Sequence, residues 1–310
     1  MTGTIAVTLP FFALIACGLA AARWGVAGTS TAPALNAFVL WFALPALLIR
    51  KLGSLPLADM LDVGFLAGWA AASFAVFVAT ALVARALGSP AKAAVIQAAT
   101  AAHGNVGYLG ITLVIGVAGA AATAPVAMAI IVDFMLVVPA VIAAIEFTAQ
   151  TGRTPVSAFA RAIGAAITSP FLLSLFIGLG LSASGLALPT VVDDFLVVLG
   201  GAAVPTALFS IGVTLYGQPL RGSLGELSVL TVIKLAVHPV LVLLVMDYWL
   251  ELDAALVQAG VLLAALPVAN NVFLLATRYE VRPGLVSGAI LVSTAVALVS
   301  FNLWAAYLTG

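Results

Sequence analysis

The chain has 310 residues, 64% of them hydrophobic and only 7% charged, with acidic and basic side chains in balance. Soluble domains carry about a quarter charged residues, so this chain cannot dress a water-exposed surface, and its mean hydropathy of +1.28 places it in a bilayer. No basic stripe points to nucleic acid, and one cysteine, Cys17, excludes an internal disulfide.

The apolar runs are continuous and about 20 residues or longer, which is what a helix needs to cross about 30 Å of hydrocarbon. Strand-type alternation is absent. The expected class is therefore an all-α integral membrane protein with ten spans: 4–22, 31–49, 62–84, 91–116, 121–147, 162–184, 188–215, 225–248, 252–277 and 284–308. The first run, Ile5 to Ala22, lacks a basic leading segment and reads as a retained span rather than a cleaved signal. Pro45 in the second span and Pro205 in the seventh each remove a helix hydrogen bond and predict a kink, with a structural role favoured over ligand contact. The fourth span is broken by His103-Gly104-Asn105-Val106-Gly107, and the ninth by Pro267-Val268-Ala269-Asn270-Asn271. Asp133 lies near the middle of the fifth span and Lys234 near the middle of the eighth, where charged groups default to functional hypotheses. The polar connector Gln150-Thr151-Gly152-Arg153-Thr154-Pro155 bisects the chain. It predicts repeats at 1–149 and 162–310 joined by a cytoplasmic linker at 150–161.

Basic residues set the orientation. With the N-terminus outside, the inner loops hold Arg23, Arg85, Lys92, Arg153, Arg161, Arg221, Arg278 and Arg282, and the outer loops only Arg50 and Lys51. Both termini are expected outside the cell membrane. Five spans per half is an odd number, so the second half must enter with opposite polarity. Short matches support such a repeat: Phe42-Ala43-Leu44-Pro45-Ala46-Leu47-Leu48 with Ala203-Val204-Pro205-Thr206-Ala207-Leu208-Phe209, offset by 160 residues, and Gly104-Asn105-Val106-Gly107-Tyr108-Leu109 with Ala269-Asn270-Asn271-Val272-Phe273-Leu274, offset by 165, so that one repeat carries a small insertion.

Interrupted helices survive in a bilayer only where they line a buried or water-filled cavity. Matched interruptions in two halves are the sequence pointer to a secondary transporter's substrate site. Each half-helix that starts at a break aims unpaired N–H groups at the crossing. With the amides of Asn105, Asn270 and Asn271, and with Gly104, Gly107 and Pro267 shaping the breaks, the expected pocket is neutral, rich in donors and suited to a small carboxylate. A competing reading is that these amides only satisfy freed backbone groups. Gln97 and Thr100 precede the break on the side of Gly104 and are candidate pocket liners. His103 adjoins it and titrates near neutral pH in water, so it is either a pocket group or a satisfied core histidine. Lys234 is expected to pair with Asp133 or to balance an anionic substrate, leaving proton coupling open. His238, followed by Pro239, reads as packing or a kink. Asp193-Asp194 sits shallow and reads as interfacial.

At Asn105-Val106-Gly107-Tyr108-Leu109-Gly110, Phe42-Ala43-Leu44-Pro45 and Ala264-Ala265-Leu266-Pro267-Val268-Ala269-Asn270-Asn271 the chain resembles the auxin efflux carrier family, which includes plant PIN-type and bacterial malate/malonate permease-like carriers. One departure is Ile111-Thr112, where bacterial members often place a proline two residues after the glycine. The resemblance implies a five-plus-five inverted repeat, with spans 1, 2, 6 and 7 as scaffold and spans 3–5 and 8–10 as a mobile core. It implies crossed, broken spans 4 and 9, and elevator-type transport of mono- or dicarboxylates such as malate, malonate or auxin-like acids. A homodimer rests on the same resemblance, because Gly200-Gly201-Ala202-Ala203 could equally pack within one subunit. The alternative is a sodium-coupled, bile-acid-symporter-like carrier, disfavoured by the shortage of midplane carboxylates. Gly104-x-x-Gly107-x-x-Gly110 lacks the Lys-Ser/Thr of a nucleotide-binding loop, and no metal or catalytic spacing appears. No cofactor is expected, and an enzyme is not.

Overall fold

The computed structural model describes residues 2–28, 30–56, 61–148, 154–216 and 224–309. Gln150 to Arg153 and Arg221, which entered the linker and charge arguments, lie outside these. The described residues form α1 (Thr2–Arg23), α2 (Thr31–Gly53), α3 (Val63–Ala86), α4 (Ala91–Ala102), α5 (Val106–Ala118), α6 (Ala120–Thr148), α7 (Pro155–Ile167), α8 (Pro170–Ser184), α9 (Thr190–Leu215), α10 (Leu224–Trp249), α11 (Ala254–Ala264), α12 (Asn270–Arg278) and α13 (Pro283–Thr309). Among them six helices, α2, α3, α6, α9, α10 and α13, are long and apolar enough to cross a membrane; α5, α8, α11 and part of α1 are shorter apolar helices. Helices therefore occupy all ten stretches that hydropathy selects.

Two departures have local causes. The stretch 162–184 was expected as one helix, but Ser169 and Pro170 divide it. Pro170 cannot continue the hydrogen-bond ladder, and the Ser169 hydroxyl caps the new helix by accepting from Leu172 N at 3.3 Å. Helix α7 begins at Pro155, inside the stretch read as linker, and the proline suits a first helical position.

Irregular turns fall on the residues that sequence marks as helix-hostile or charged. A π-type turn at Val39–Ala43 precedes Pro45 in α2, and α9 breaks at Ala202, three residues before Pro205. Further π-type turns begin at Asp133 in α6 and at Ile233, beside Lys234, in α10. Such bulges concentrate at functional sites. Pro239 cannot donate to the Leu235 carbonyl, and the Trp304 indole of α13 does so instead at 3.0 Å.

The larger helix contacts fall mostly within two sets, with α7 packed on α6 and smaller contacts of α1 with α5 and α13 between the sets. Helix α1 lies on the second half of α9, α2 on α8 and both halves of α9, while α3 packs on α4, α6 on α4, α10 on α11, and α13 on α10 and α12. The core between the latter helices is dense, with Phe65, Trp69, Ile96, Leu113, Met128 and Ile130 all sealed from solvent. Arg50 of α2 holds Asp193 of α9 in a two-bonded pair at 2.7 and 3.3 Å, which gives that carboxylate an interfacial role. Gly200 packs against the Leu47 backbone of α2, so this glycine is used within the chain.

The tightest helix contact is α1 on α9. A Cβ on Gly18 would lie 2.0 Å from the Phe209 carbonyl oxygen, and one on Gly212 would lie 1.9 Å from that of Ile15. Close approach of this kind replaces the hydrophobic drive that helices lack inside lipid. Gly212→Ala is expected to destabilise the fold by about 1–3 kcal/mol through overpacking. Gly201→Ala, with nothing within 4 Å of its Cβ position, is the control and leaves thermal unfolding in detergent unchanged.

Candidate functional site

Helix α4 ends at Ala102, His103 is extended, and the chain turns tightly at Asn105, where Val106 N donates to the Gly104 carbonyl at 2.8 Å, as α5 begins. Helix α11 ends at Ala264, Ala265 and Leu266 continue its last turn, and residues 267–269 lead into α12 at Asn270. The two breaks cross antiparallel. Gly104 and Val268 form an isolated bridge, Asn105 N donates to the Pro267 carbonyl at 2.9 Å, and Ala269 N donates to that of His103 at 3.1 Å. Val268 N takes the Ser293 hydroxyl of α13 at 3.1 Å. Backbone groups that the interruptions free thus satisfy one another.

Beside the crossing opens a cavity of ≈ 870 Å³. His103, Gly104, Asn105, Gly107, Asn270 and Asn271 line one side of it, and Asn36, Trp41 and Thr214 of α2 and α9 face them. A second, closed space of ≈ 20 Å³ continues from it between Asn36, Asn105, Tyr108, Thr214, Asn270 and Thr294. In the first turns of α5 and α12, which start at this wall, Val106 N donates to the Gly104 carbonyl at 2.8 Å, Tyr108 N to Asn105 Oδ1 and Val272 N to the Ala269 carbonyl at 3.2 Å.

The three asparagines do different things. Asn105 caps its own half-helix, its side chain accepting from Tyr108 N at a long 3.4 Å. The Asn270 side chain makes no hydrogen bond among the described residues, so its amide is left for the cavity. Asn271 Nδ2 meets His103 Nε2 at 2.8 Å, and its oxygen is buried without a donor.

Behind the crossing runs a buried polar chain. His103 Nδ1 faces Asp133 Oδ2 at 3.6 Å, and the Trp69 indole donates to Asp133 Oδ1 at 2.9 Å. The Trp69 ring lies 5.7 Å from the His238 ring, which meets Ser73 Oγ at 3.5 Å and Lys234 Nζ at 3.3 Å. Lys234 then donates to the Ala264 carbonyl at 2.5 Å. That carbonyl ends α11, so the ammonium caps the negative end of a half-helix. The expected direct contact of Lys234 with Asp133 is not made: each charge has nearer partners, although both belong to one cluster. A Cβ at Gly104 would lie 3.1 Å from Lys234 Nζ, close enough that the lysine end would have to shift by a few tenths of an ångström.

Gln97 and Thr100 are not on the cavity wall. Gln97 donates to Glu226 of α10, which also binds Arg282, and the Thr100 hydroxyl turns back to the Ile96 carbonyl at 2.7 Å. Helical spacing places them under Gly104, but that face of α4 packs on α10 instead of opening. Pro267 contributes its carbonyl to the crossing rather than a wall to the cavity. Sequence reasoning missed Asn36 and Thr214, whose signal was an amide and a hydroxyl inside the second and seventh spans.

Removing either buried charge would leave the other without compensation, a cost of several kcal/mol. Asp133→Asn and Lys234→Met are each expected to lower thermal stability in detergent, and the double variant to lose less than the sum of the two. Additive losses would show that the two charges act independently.

A model of the membrane transport protein family matches residues 4–305. The chain is 32% identical, over 94% of its length and 91% of the relative's, to a protein of Rhizobium meliloti (strain 1021) described as "Putative malonate transporter". It is 31% identical over 48% of its length, and 48% of the relative's, to an uncharacterized transporter of Methanothermobacter thermautotrophicus. With its apolar helices and broken-helix crossing, the chain belongs to the membrane transport protein family, that of the auxin efflux carriers, and is a multi-pass membrane transporter, not an enzyme.

Proposed function

We propose that the chain is a secondary carrier of small organic anions, mono- or dicarboxylates such as malonate or malate, working by elevator-type alternating access. The observation that carries this reading is the convergence of two half-helix N-termini and three asparagine amides on one cavity. Such a wall offers several charge-assisted hydrogen bonds to a carboxylate and leaves no bare charge when empty. The relative described as a malonate transporter supports the substrate class.

On this reading the ten helical stretches are ten spans in a five-plus-five inverted repeat, 1–149 and 162–310. Helices α1, α2, α8 and α9 form the scaffold, and α3 to α6 with α10 to α13 the moving core. The concentration of the larger contacts within the same two sets supports it. So does an internal offset of 165 residues, which relates Asn105 to Asn270, Trp69 to Lys234 and Ser73 to His238; the last pair meet in the polar cluster. Lys234 and Asp133 serve as internal charge balance beside the crossing. The cavity opens beside Ala22, Gly28, Pro33 and Tyr216, on the side that the arginine distribution assigns to the cytoplasm. The conformation is then inward-facing, with both termini outside, and reporter fusions at either terminus should be active only on the outer side.

Purified protein is expected to gain thermal stability from malonate equally in sodium and in choline buffer. Stabilisation confined to sodium would favour a sodium-coupled symporter instead. Because the Asn270 amide has no partner among the described residues, Asn270→Ala should leave the melting temperature unchanged yet weaken malonate about tenfold. That loss corresponds to one charged hydrogen bond of roughly 1.4 kcal/mol. Unchanged affinity would remove Asn270 from the site.

A further inference from the structure

The two halves of the stretch expected as one sixth span pack on different neighbours. Helix α7 lies along residues 133–148 of α6, and α8 lies on α2. Arg161 of α7 donates to Glu146 Oε2 of α6 at 2.5 Å, and the Tyr279 hydroxyl at the end of α12 donates to Oε1 of the same carboxylate at 3.1 Å. One buried glutamate thus ties α7 to both α6 and α12.

Helix α8 is fixed to α2 as firmly. A Cβ on Gly178 would lie 2.9 Å from Leu52 Cβ and 3.1 Å from the Leu48 carbonyl oxygen. One on Gly53 would lie 3.3 Å from Leu181 Cβ, and the Ser182 hydroxyl donates to the Leu55 carbonyl at 2.5 Å. The border between the two packing sets therefore passes through the chain at Thr168-Ser169-Pro170.

The hydrogen bonding at that border suits rotation. Thr168 N completes α7 by donating to the Gly164 carbonyl at 3.3 Å. Ser169 is extended, with ψ 141°, and both its oxygens serve α8: the hydroxyl accepts from Leu172 N and the carbonyl from Leu173 N. Pro170 has no N–H to offer α7. Each half-helix is thus closed by its own groups, and a change in the dihedrals between them costs neither ladder a bond. Across the border the Phe171 ring meets the Phe134 ring of α6 at 4.9 Å between centroids, an apolar contact without a directional bond.

The first half of the chain holds a counterpart. The offset of 160 residues that relates Pro45 to Pro205 also relates Thr8-Leu9-Pro10 to Thr168-Ser169-Pro170. Thr8 of α1 donates to Asn302 Oδ1 of α13 at 2.9 Å, whereas Ile15 and Gly18, beyond Pro10, pack on α9. Helix α1 remains continuous through its proline, so the full break belongs to the second half alone.

We propose that Thr168-Ser169-Pro170 is a hinge between core and scaffold, so that α7 travels with the core while α8 stays with the scaffold. This rests on the elevator reading above, and it divides the sixth span that the resemblance assigns whole to the scaffold. A continuous helix packed on both bodies would have to bend or slide whenever they shift; a break with two closed ends absorbs the change in a few dihedrals.

The test uses the protein with Cys17→Ser as parent, in liposomes for malonate uptake and in detergent for melting. Ser169→Ala with Pro170→Ala restores a strong helix-forming sequence across the border. It should slow uptake at least tenfold while malonate raises the melting temperature as much as in the parent. A second variant carries Phe147→Cys and Val156→Cys, exposed on the groove between α6 and α7, joined by a short bismaleimide. Uptake should survive that cross-link, whose formation is read as a mass shift. Parental uptake by the first variant overturns the hinge, and so does loss of malonate stabilisation together with uptake. Uptake lost on cross-linking overturns the placing of α7 with the core, even where the first variant does not fold. A parent that neither binds nor moves malonate removes the carboxylate carrier reading and this inference with it.

Discussion

Hydrocarbon supplies no hydrogen bonds, so every backbone group freed by breaking a helix must find a partner inside the protein. At the crossing, His103 to Asn105 and Pro267 to Ala269 solve most of that problem by pairing with each other. The Ala264 carbonyl at the end of α11 is instead taken by Lys234. From this one cap a sequence of requirements follows. An ammonium in the core needs room, which Gly104 provides, and a compensating carboxyl group, which Asp133 provides. That carboxyl group in turn needs donors: Trp69 donates to one of its oxygens, and His103 faces the other at 3.6 Å, beyond hydrogen-bond reach. His103 finally holds Asn271 on the cavity wall. A constraint on backbone hydrogen bonding thus reaches the cavity through side chains alone.

The three asparagines are engaged differently among the described residues. Asn105 serves the backbone, Asn271 serves the polar chain, and Asn270 is uncommitted. A lone amide at one break would have sufficed for capping. The uncommitted one adds donor capacity where two half-helix ends already point, and it does so without a charge that the empty cavity would have to hold in a low dielectric.

The breaks and the helical stretches were legible because Gly, Pro and Asn inside an apolar run interrupt a helix wherever it lies. The inner partners were not. Gln97 lies two turns before Gly104, and helical spacing places both on one side of α4, yet Glu226 and Arg282 meet that side lower down. Spacing gives a face and not what covers it. Asn36 and Thr214 escaped notice because each is one polar residue in an otherwise ordinary span, and only the fold brings them opposite the crossing. Lys234 and Asp133 were recognisable as a buried cation and a buried carboxyl group near one depth. That the lysine would cap a helix end depended on where α11 stops. Ser169 and Pro170 were readable as a helix start, but the uninterrupted hydropathy around them concealed it.

The division of polar groups by depth bears on how the site works. Formal charges are withdrawn behind the crossing, where packing fixes them and each has partners. Fixed dipoles and amides face the cavity, where the surroundings change between a bound ligand and water. A dipole loses little when its ligand leaves, whereas an exposed ammonium would strengthen binding of any anion and equally oppose its release. On the proposed reading as an anion carrier, Lys234 one glycine behind the wall keeps its role in the backbone while sparing the ligand a full countercharge. Gly104 is the residue on which that compromise turns: it joins the bridge with Val268, lines the cavity and makes room for the ammonium, and a side chain at this position would disturb all three.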